Sequence, residues 1–245
     1  MEGMTNWLVD LKEDFILNFV QQNRWSFITS GLKNTLIITL FAGIIGVLLG
    51  AVVAIIRSSY DKNYKDMKSG IKKGLLAFSN WFCKIYLTVI RGTPVVVQLM
   101  IMYYIIFASS RNSLLVAILA FGINSGAYVA EIVRSGIMSI DVGQFEAGRS
   151  LGFDYTQTMV HIIIPQAIKN VLPALANEFI VLIKETSVAG YVTIRDLTMG
   201  GNIIRAATYS PFMPLVAVAI IYLVLVMFFT WLIGKIERRL RSSER

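Results

Sequence analysis

Residues Thr35 to Ile56 form a run of 22 without a charged side chain. As a helix that run is about 33 Å long, enough to cross a hydrocarbon core of about 30 Å. Three further uncharged runs follow: Gly92 to Ser110 and Asn112 to Ala130, of 19 residues each, and Ala206 to Gly234, of 29, with Pro211 and Pro214 near its start. The first two are expected to span, and the third to begin its span near Phe212. Asn170 to Ile194 is apolar as well but carries Glu178, Lys184 and Glu185. Each of these costs about 2.5 to 3.5 kcal/mol near the centre of an isolated membrane helix, so a span there needs polar company. Five spans are expected, at about 35–56, 92–110, 112–138, 170–192 and 212–234, in an all-α integral membrane protein.

Composition agrees with that class. Hydrophobic residues make up 56% and charged residues 16% of the 245, where a soluble domain carries about a quarter charged. One cysteine, Cys83, forms no internal disulfide, and one histidine, His161, supplies no histidine-rich metal site. No metal and no cofactor is expected, and no pairing of Ser, Cys or His points to a hydrolase. His161 reads as an interfacial side chain.

The net charge of +8 is explained by where the cations lie. With five spans, the segments 57–84, 139–169 and the tail from Lys235 share one side and hold 14 Lys or Arg, against 6 on the other. The positive-inside rule places the amino end outside and the carboxyl end in the cytoplasm. Lys62, Lys65, Lys68, Lys72 and Lys73 then hold topology and touch anionic lipid, and no nucleic acid is implied.

Domain organisation follows from the same runs: residues 1–34 an external, interfacial segment, 35–235 a transmembrane domain, and 236–245 a basic cytoplasmic tail. Leu8, Leu11, Phe15 and Phe19 recur at helical spacing opposite Asp10, Lys12, Glu13 and Asp14, with Trp7 and Trp25 nearby, which predicts a helix lying on the membrane surface. The acids there argue against a cleavable signal.

The segment 139–169 carries a spaced pattern: Glu146-Ala147-Gly148, three residues, Gly152, nine residues, then Ile162-Ile163-Ile164-Pro165. Glu146 to Gly148 can begin a short helix, Gly152 permits the turn after it, and Pro165 suits the first turn of a new helix. Gly143 to Ser150 is one residue from a phosphate-binding loop, but it lacks the lysine and the preceding strand, so nucleotide binding there is not expected. Arg91-Gly92-Thr93-Pro94 opens the second run, and Gln98 follows within it. Pro94 suits a helix entrance or kink and leaves carbonyls near Arg91 to Thr93 without helical partners.

Ionisable groups within the expected spans are Arg91, Glu131, Arg134, Glu178, Lys184 and Glu185. Three positive and three negative groups suit a path meeting a zwitterion better than one selecting anions or cations. Gln98, Glu131, Arg134, Asn177, Glu178 and Lys184 are the candidates for the substrate path. Glu131 and Arg134 are three apart and equally well neutralise each other. Gly46 and Gly50 form a Gly-x3-Gly pair that favours close helix packing.

The pattern from Glu146 to Pro165 resembles the signature loop of ABC transporter permeases, Glu-Ala-Ala-x3-Gly-x9-Ile-x-Leu-Pro, with Gly148 and Ile164 as small departures. Arg91-Gly92-Thr93-Pro94-x3-Gln98, Gly126-Ala127-Tyr128, Leu172-Pro173, Asn177-Glu178 and Lys184-Glu185-Thr186-Ser187 are similar to the polar amino-acid uptake branch of histidine, glutamine or arginine permease type. The resemblance runs from Gly31 to Arg239. It implies the type I ABC importer permease fold, with Glu146, Ala147, Gly148, Gly152, Ile162 and Pro165 in a coupling helix that sits in a groove of a cytoplasmic ATPase. It also implies a bacterial inner-membrane importer with two ATP-binding subunits, a second permease subunit, identical or homologous, and an external solute-binding protein that delivers an amino acid. ATP hydrolysis then belongs to a separate chain. The lysine-rich segment between Arg57 and Arg91 departs in length and leaves the start of the second helix open. The competing reading is an ion-coupled carrier or channel without an ATPase, using the buried carboxylates for protons or sodium.

Overall fold

The computed structural model describes residues 10–65 and 67–242, with the side chains of 239–242 excepted. Among the described residues the chain is helical throughout, without strands. Helix α1 (Trp25–Asn63) is followed by α2 (Ile71–Arg91), α3 (Val95–Ile101), α4 (Ser113–Met138), α5 (Val142–Ser150), α6 (Tyr155–Thr158), α7 (Ile164–Glu185), α8 (Leu197–Thr208) and α9 (Phe212–Ser242). Four helical stretches, built on α1, α4, α6 with α7, and α9, are long and apolar enough to cross a membrane, and α2 with α3 makes a fifth if the bent pair counts as one.

Several starts are written locally. Asn112 Oδ1 accepts from Leu115 N at 3.0 Å and opens α4. Asp141 Oδ1 accepts from Gly143 N at 2.6 Å and opens α5. Asp154 and Gln157 form a reciprocal capping box at α6. These bonds satisfy helix-end donors that have no intrahelical partner.

The most extensive helix pairing is α1 with α4, and glycine sets its closeness. A methyl group built on Gly50 would fall 2.5 Å from Val129 Cγ1 and 2.8 Å from Ala130 N, and one on Gly46 would fall 3.0 Å from Ser125 Oγ. Gly122 answers from the other side, where a methyl would meet Ile45 at 2.8 Å. In lipid, where no hydrophobic force separates helix from solvent, this backbone approach is the main source of attraction. Around it, Ile38, Ala42, Leu99, Phe121, Leu182 and Val192 form the largest core cluster.

Two elements differ from what the uncharged runs predict. The run Gly92 to Ser110 is preceded by α2, a helix of 21 residues that Lys72, Lys73 and Lys84 hide from a search for uncharged stretches. Ile71, Leu75, Phe78, Phe82, Ile85 and Val89 expose one apolar face of α2, while Asn80, Cys83 and Leu87 are buried on another. Between α2 and α3 the axis turns by 108°. Helix α7 likewise starts at Ile164, six residues before the expected span, because Pro165 sits in its first turn where no amide donor is needed.

Trp7 and Leu8 of the expected surface helix lie outside the described residues. From residue 10 onward the segment is docked on the protein: Asn18 donates to Asp14 O at 2.8 Å and to Ser210 Oγ at 3.2 Å and accepts from Thr208 Oγ1 at 2.8 Å. Phe19 packs on the cluster of Ile28, Leu197, Ile204 and Val218, while Phe15 and Trp25 stay half exposed.

The short helix α8 is seated on α1. A methyl on Gly31 would lie 2.5 Å from Asp196 O, and Thr35 Oγ1 accepts from Leu197 N at 3.1 Å. Asp196 is fully buried and caps α8, accepting from Thr198 N at 3.0 Å and Met199 N at 3.2 Å. Burial pushes its carboxyl from 3.8 up to about 6, against the opposing pull of those amides. A group whose folded pKa is raised contributes stability fully present below its unfolded value and lost as pH rises through the folded one. The apparent melting temperature should therefore decline from pH 4 to pH 7, and Asp196→Asn, which keeps a cap acceptor without the charge, should flatten that decline. Differential scanning fluorimetry in detergent across this range checks it, and parallel curves would refute it.

Candidate functional site

Pro94 has no amide hydrogen, so the turn Gly92-Thr93-Pro94 interrupts the hydrogen-bond ladder between α2 and α3. The freed carbonyls are taken by Gln98. Its Nε2 donates to Ile90 O at 2.7 Å, Thr93 O at 3.0 Å and Thr93 Oγ1 at 2.8 Å, and its Oε1 accepts from Asn124 Nδ2 at 2.9 Å. Gln98 thus ties the break to α4. Gly92 N donates to Thr88 O at 3.0 Å, finishing α2 before the turn.

Four charges meet at the end of α4 near α5. Glu131 Oε1 accepts from Arg134 Nη2 at 3.0 Å, and Arg134 Nη1 reaches Asp61 Oδ2 of α1 at 3.2 Å. Arg91 Nη1 stands 3.5 Å from Glu131 Oε2, and its guanidinium lies 5.7 Å from the centre of the Tyr128 ring. The pairing of Glu131 with Arg134, one of two readings of the sequence, is present. It is one part of a network joining α1, α2 and α4.

Glu178 stands apart from that network. Ser125 Oγ of α4 donates to its Oε1 at 3.1 Å. It lines two cavities. One, of about 360 Å³, is walled by Leu40, Ile44, Val47, Val129 and Phe179, with Glu178 its single ionisable group. The other, of about 460 Å³, is the more polar of the two and is lined by Arg91, Tyr128, Glu131, Ser135 and Asn170 besides Glu178.

Asn177 and Lys184 are not brought to Glu178. Both are exposed on α7, one position round the helix from it, on the same stripe as Asn170. Ser125 was not legible as a site residue, since its only sequence signal is a small hydroxyl between two glycines' neighbours, Asn124 and Gly126.

Between α4 and α7, helix α5 presents Val142, Glu146 and Ala147 to the outside and buries Gly148. A methyl on Gly148 would lie 2.7 Å from both Cγ2 and Oγ1 of Thr158, so glycine is what lets α5 lie against α6. Gly152 takes φ +81°, in the left-handed region that glycine favours. Phe153 N then donates to Gly148 O at 3.0 Å and closes the helix end. Leu151 beyond it is 72% exposed, an apolar side chain left outside the core. Ile162 packs partly on the Ile137, Ile140 and Met159 cluster, and Pro165 is exposed. The Gly143 to Ser150 stretch that approximates a phosphate loop is α5 itself, and the amides of Gly143 and Gln144 at its start are taken by Asp141. His161 is exposed, with its ring 6.1 Å from that of Phe153.

A family profile described as the binding-protein-dependent transport system inner membrane component matches residues 74–242, which include the break, Glu178, the lining of the 460 Å³ cavity and α5. The chain belongs to this family. Among relatives of the permease, the arginine transport system permease protein ArtQ of Bacillus subtilis is 36% identical over 221 residues, covering 89% of this chain and 94% of that one. The glutamine transport system permease protein GlnP of Escherichia coli is 35% identical over 188 residues, covering 71% and 86%. A chain in the crystal structure of an amino acid ABC transporter with histidines superposes with a TM-score of 0.76 at 41% identity, covering 87% and 94%. A chain of the inward-facing MetNI methionine ABC transporter shares the fold at 18% identity, with a TM-score of 0.73 and coverage of 90% and 99%. The permease therefore has the type I ABC importer permease fold and is a multi-pass inner-membrane protein.

Gln98 gives the site its first test. Replacing it with Leu strands the part-buried carbonyl of Ile90 and removes the acceptor of Asn124 Nδ2, at about 1 to 3 kcal/mol for each buried group left without a partner. Gln98→Leu should lower the melting temperature of the purified permease by several degrees. An unchanged melt would mean that the amide is not holding the break.

Proposed function

We propose that the permease is the transmembrane subunit of an ATP-driven, binding-protein-dependent importer of polar amino acids. The observation that carries this reading is Glu178, a carboxyl inside the bundle, held by Ser125 and open to two cavities. A carboxyl facing a cavity among apolar spans is a site for a cationic group, here the ammonium of an amino acid. The relatives named for arginine and glutamine transport support an amino acid as cargo.

The path is shared with a second permease subunit, identical or homologous. Asn177 and Lys184 lie on an exposed stripe of α7, Lys184 in its last turn, and polar or charged groups of a span left facing lipid are costly. A partner subunit's polar stripe relieves that cost. The external solute-binding protein delivers the amino acid at the amino-terminal side, and the carboxyl end is cytoplasmic, as the cation distribution requires.

Energy comes from two copies of a cytoplasmic ATPase that hold α5. Its short length, its exposed Val142, Glu146, Ala147 and Leu151, and its glycine-set seat against Thr158 suit a lever clasped by another protein. Nucleotide-driven closure stabilises the outward-facing arrangement, and hydrolysis releases it.

Reconstitution with the cognate ATPase and binding protein into liposomes tests both parts. Glu178→Ala should cut ATP-dependent amino-acid uptake to about a tenth or less, the loss of one charge-assisted contact, while assembly with the ATPase persists. Wild-type uptake kinetics would defeat the role of Glu178. Gly152→Asp should lower both uptake and co-purification of the ATPase. If both stay at wild-type values, α5 is not the ATPase contact, and uptake driven by an ion gradient without ATP would favour a carrier.

A further inference from the structure

We propose that Arg91 is the receptor for the α-carboxylate of the transported amino acid, in the polar cavity that it shares with Glu178. This rests on the amino-acid reading above and extends it to a residue and a group of the substrate.

The argument is an account of guanidinium donors. The cavity of about 460 Å³ is lined by two carboxylates, Glu131, which faces the arginines, and Glu178, which is held by Ser125, and by one cation, Arg91. Arg134, the other guanidinium nearby, does not line the cavity. Its two terminal nitrogens are taken by Glu131 at 3.0 Å and Asp61 at 3.2 Å. Arg91 is placed differently. Among the described residues it makes no side-chain hydrogen bond, its nearest carboxylate oxygen is 3.5 Å away, and its side chain is 43% exposed. A guanidinium carries five donors in a planar fork, so most of the fork is open to an arriving anion.

Glu131 does not satisfy it. That carboxylate divides itself between Arg134, at hydrogen-bond distance, and Arg91, beyond it. Two arginines against Glu131 and Asp61 leave the network neutral, and Arg91 is its loosest member. Tyr128 lies beside the guanidinium and restricts its orientation, which lowers the cost of ordering the fork when a ligand binds. A planar carboxylate matches that fork with two parallel bonds, stronger than a single neutral bond.

The second charge in the same space completes a zwitterion site. Glu178 lies where the polar and apolar cavities meet, and Arg91 belongs to the polar one alone. An amino acid with its carboxylate on Arg91 and its ammonium toward Glu178 keeps both charges matched inside the bundle.

The test measures binding to the assembled permease and ATPase in nanodiscs, without the binding protein, whose own selectivity would mask the result. The probe is whichever of the standard L-amino acids the wild-type complex takes up with ATP in liposomes supplied with its binding protein, compared in the nanodisc assay with its α-carboxamide by calorimetry. The wild type should prefer the acid by about tenfold or more, the usual weight of a charge-assisted pair. Arg91→Gln should bring that preference near one while leaving amide binding unchanged, and Arg91→Lys, which keeps the charge without the fork, should fall between. A lost fold would weaken acid and amide alike, and that equal loss overturns the assignment, as does a preference unmoved by Arg91→Gln. A wild-type complex that takes up no amino acid with ATP in liposomes supplied with its binding protein overturns the amino-acid reading, and this inference with it.

Discussion

Gly46 and Gly50 bring the backbone of α1 against Ser125, Val129 and Ala130 of α4, closer than any larger residue permits. That contact decides which way α4 is turned. With its glycine face against α1, α4 directs Asn124 to Gln98, Ser125 to Glu178, and Glu131 to Arg91. Gly126 extends the effect to α2, because Tyr86 reaches over it to donate to Ile123 O at 2.6 Å. The polar groups of the bundle meet one another because small residues removed the space between two helices.

A bilayer interior offers no water to an open carbonyl, so the 108° turn before α3 has to be closed by protein. Gln98 closes it from within the same segment and is fixed by Asn124 from the neighbouring helix. The consequence is a division of labour between two polar clusters. Gln98 is spent on backbone and on Asn124, whose own Oδ1 is buried without a partner and lines neither cavity, whereas Glu178 and Arg91 keep atoms facing cavities. Polarity inside a span does not by itself mean contact with cargo. What separates the two roles is whether a polar group reaches a cavity wall.

Much of this was legible in the chain. Uncharged runs marked α1, α4 and α9, the Gly-x3-Gly pair marked the most extensive helix contact, and the spacing from Glu146 to Pro165 marked a helix, a glycine turn and a proline start where α5, Gly152 and α7 stand. These are local signals, carried by periodicity or by residues a few positions apart. The bonds between Asn124 and Gln98 and between Ser125 and Glu178 join residues 26 and 53 positions apart, and no periodicity encodes such a meeting. Helix α2 was hidden because its lysines lie on a different side from its apolar face, so an amphipathic pattern was there to find and a search for uncharged runs passed over it. The outward aspect of Asn177 and Lys184 was out of reach for another reason. A polar stripe on a helix looks the same whether it faces a path or a second chain.

The charged network has a position that matters for motion. Lys62, near the end of α1, sits 4.2 Å from the centre of the Phe145 ring on α5, and its neighbour Asp61 holds Arg134 of α4. Glu131 follows one turn away on α4, and then Arg91 at the elbow before α3. Each of these pairs is partly exposed, so each contributes little to stability, at most about 1 kcal/mol. Weak contacts of this kind rearrange at small cost. A displacement of α5 must either carry the end of α1 with it or break the contact of Lys62 with Phe145. The next link, Asp61 with Arg134, faces the same choice, and so does Glu131 with Arg91. A chain of cheap, exchangeable charge contacts between a helix at the edge of the bundle and a cation facing its cavity allows α5 to be displaced without loss of the fold, which the glycine contact of α1 and α4 holds independently.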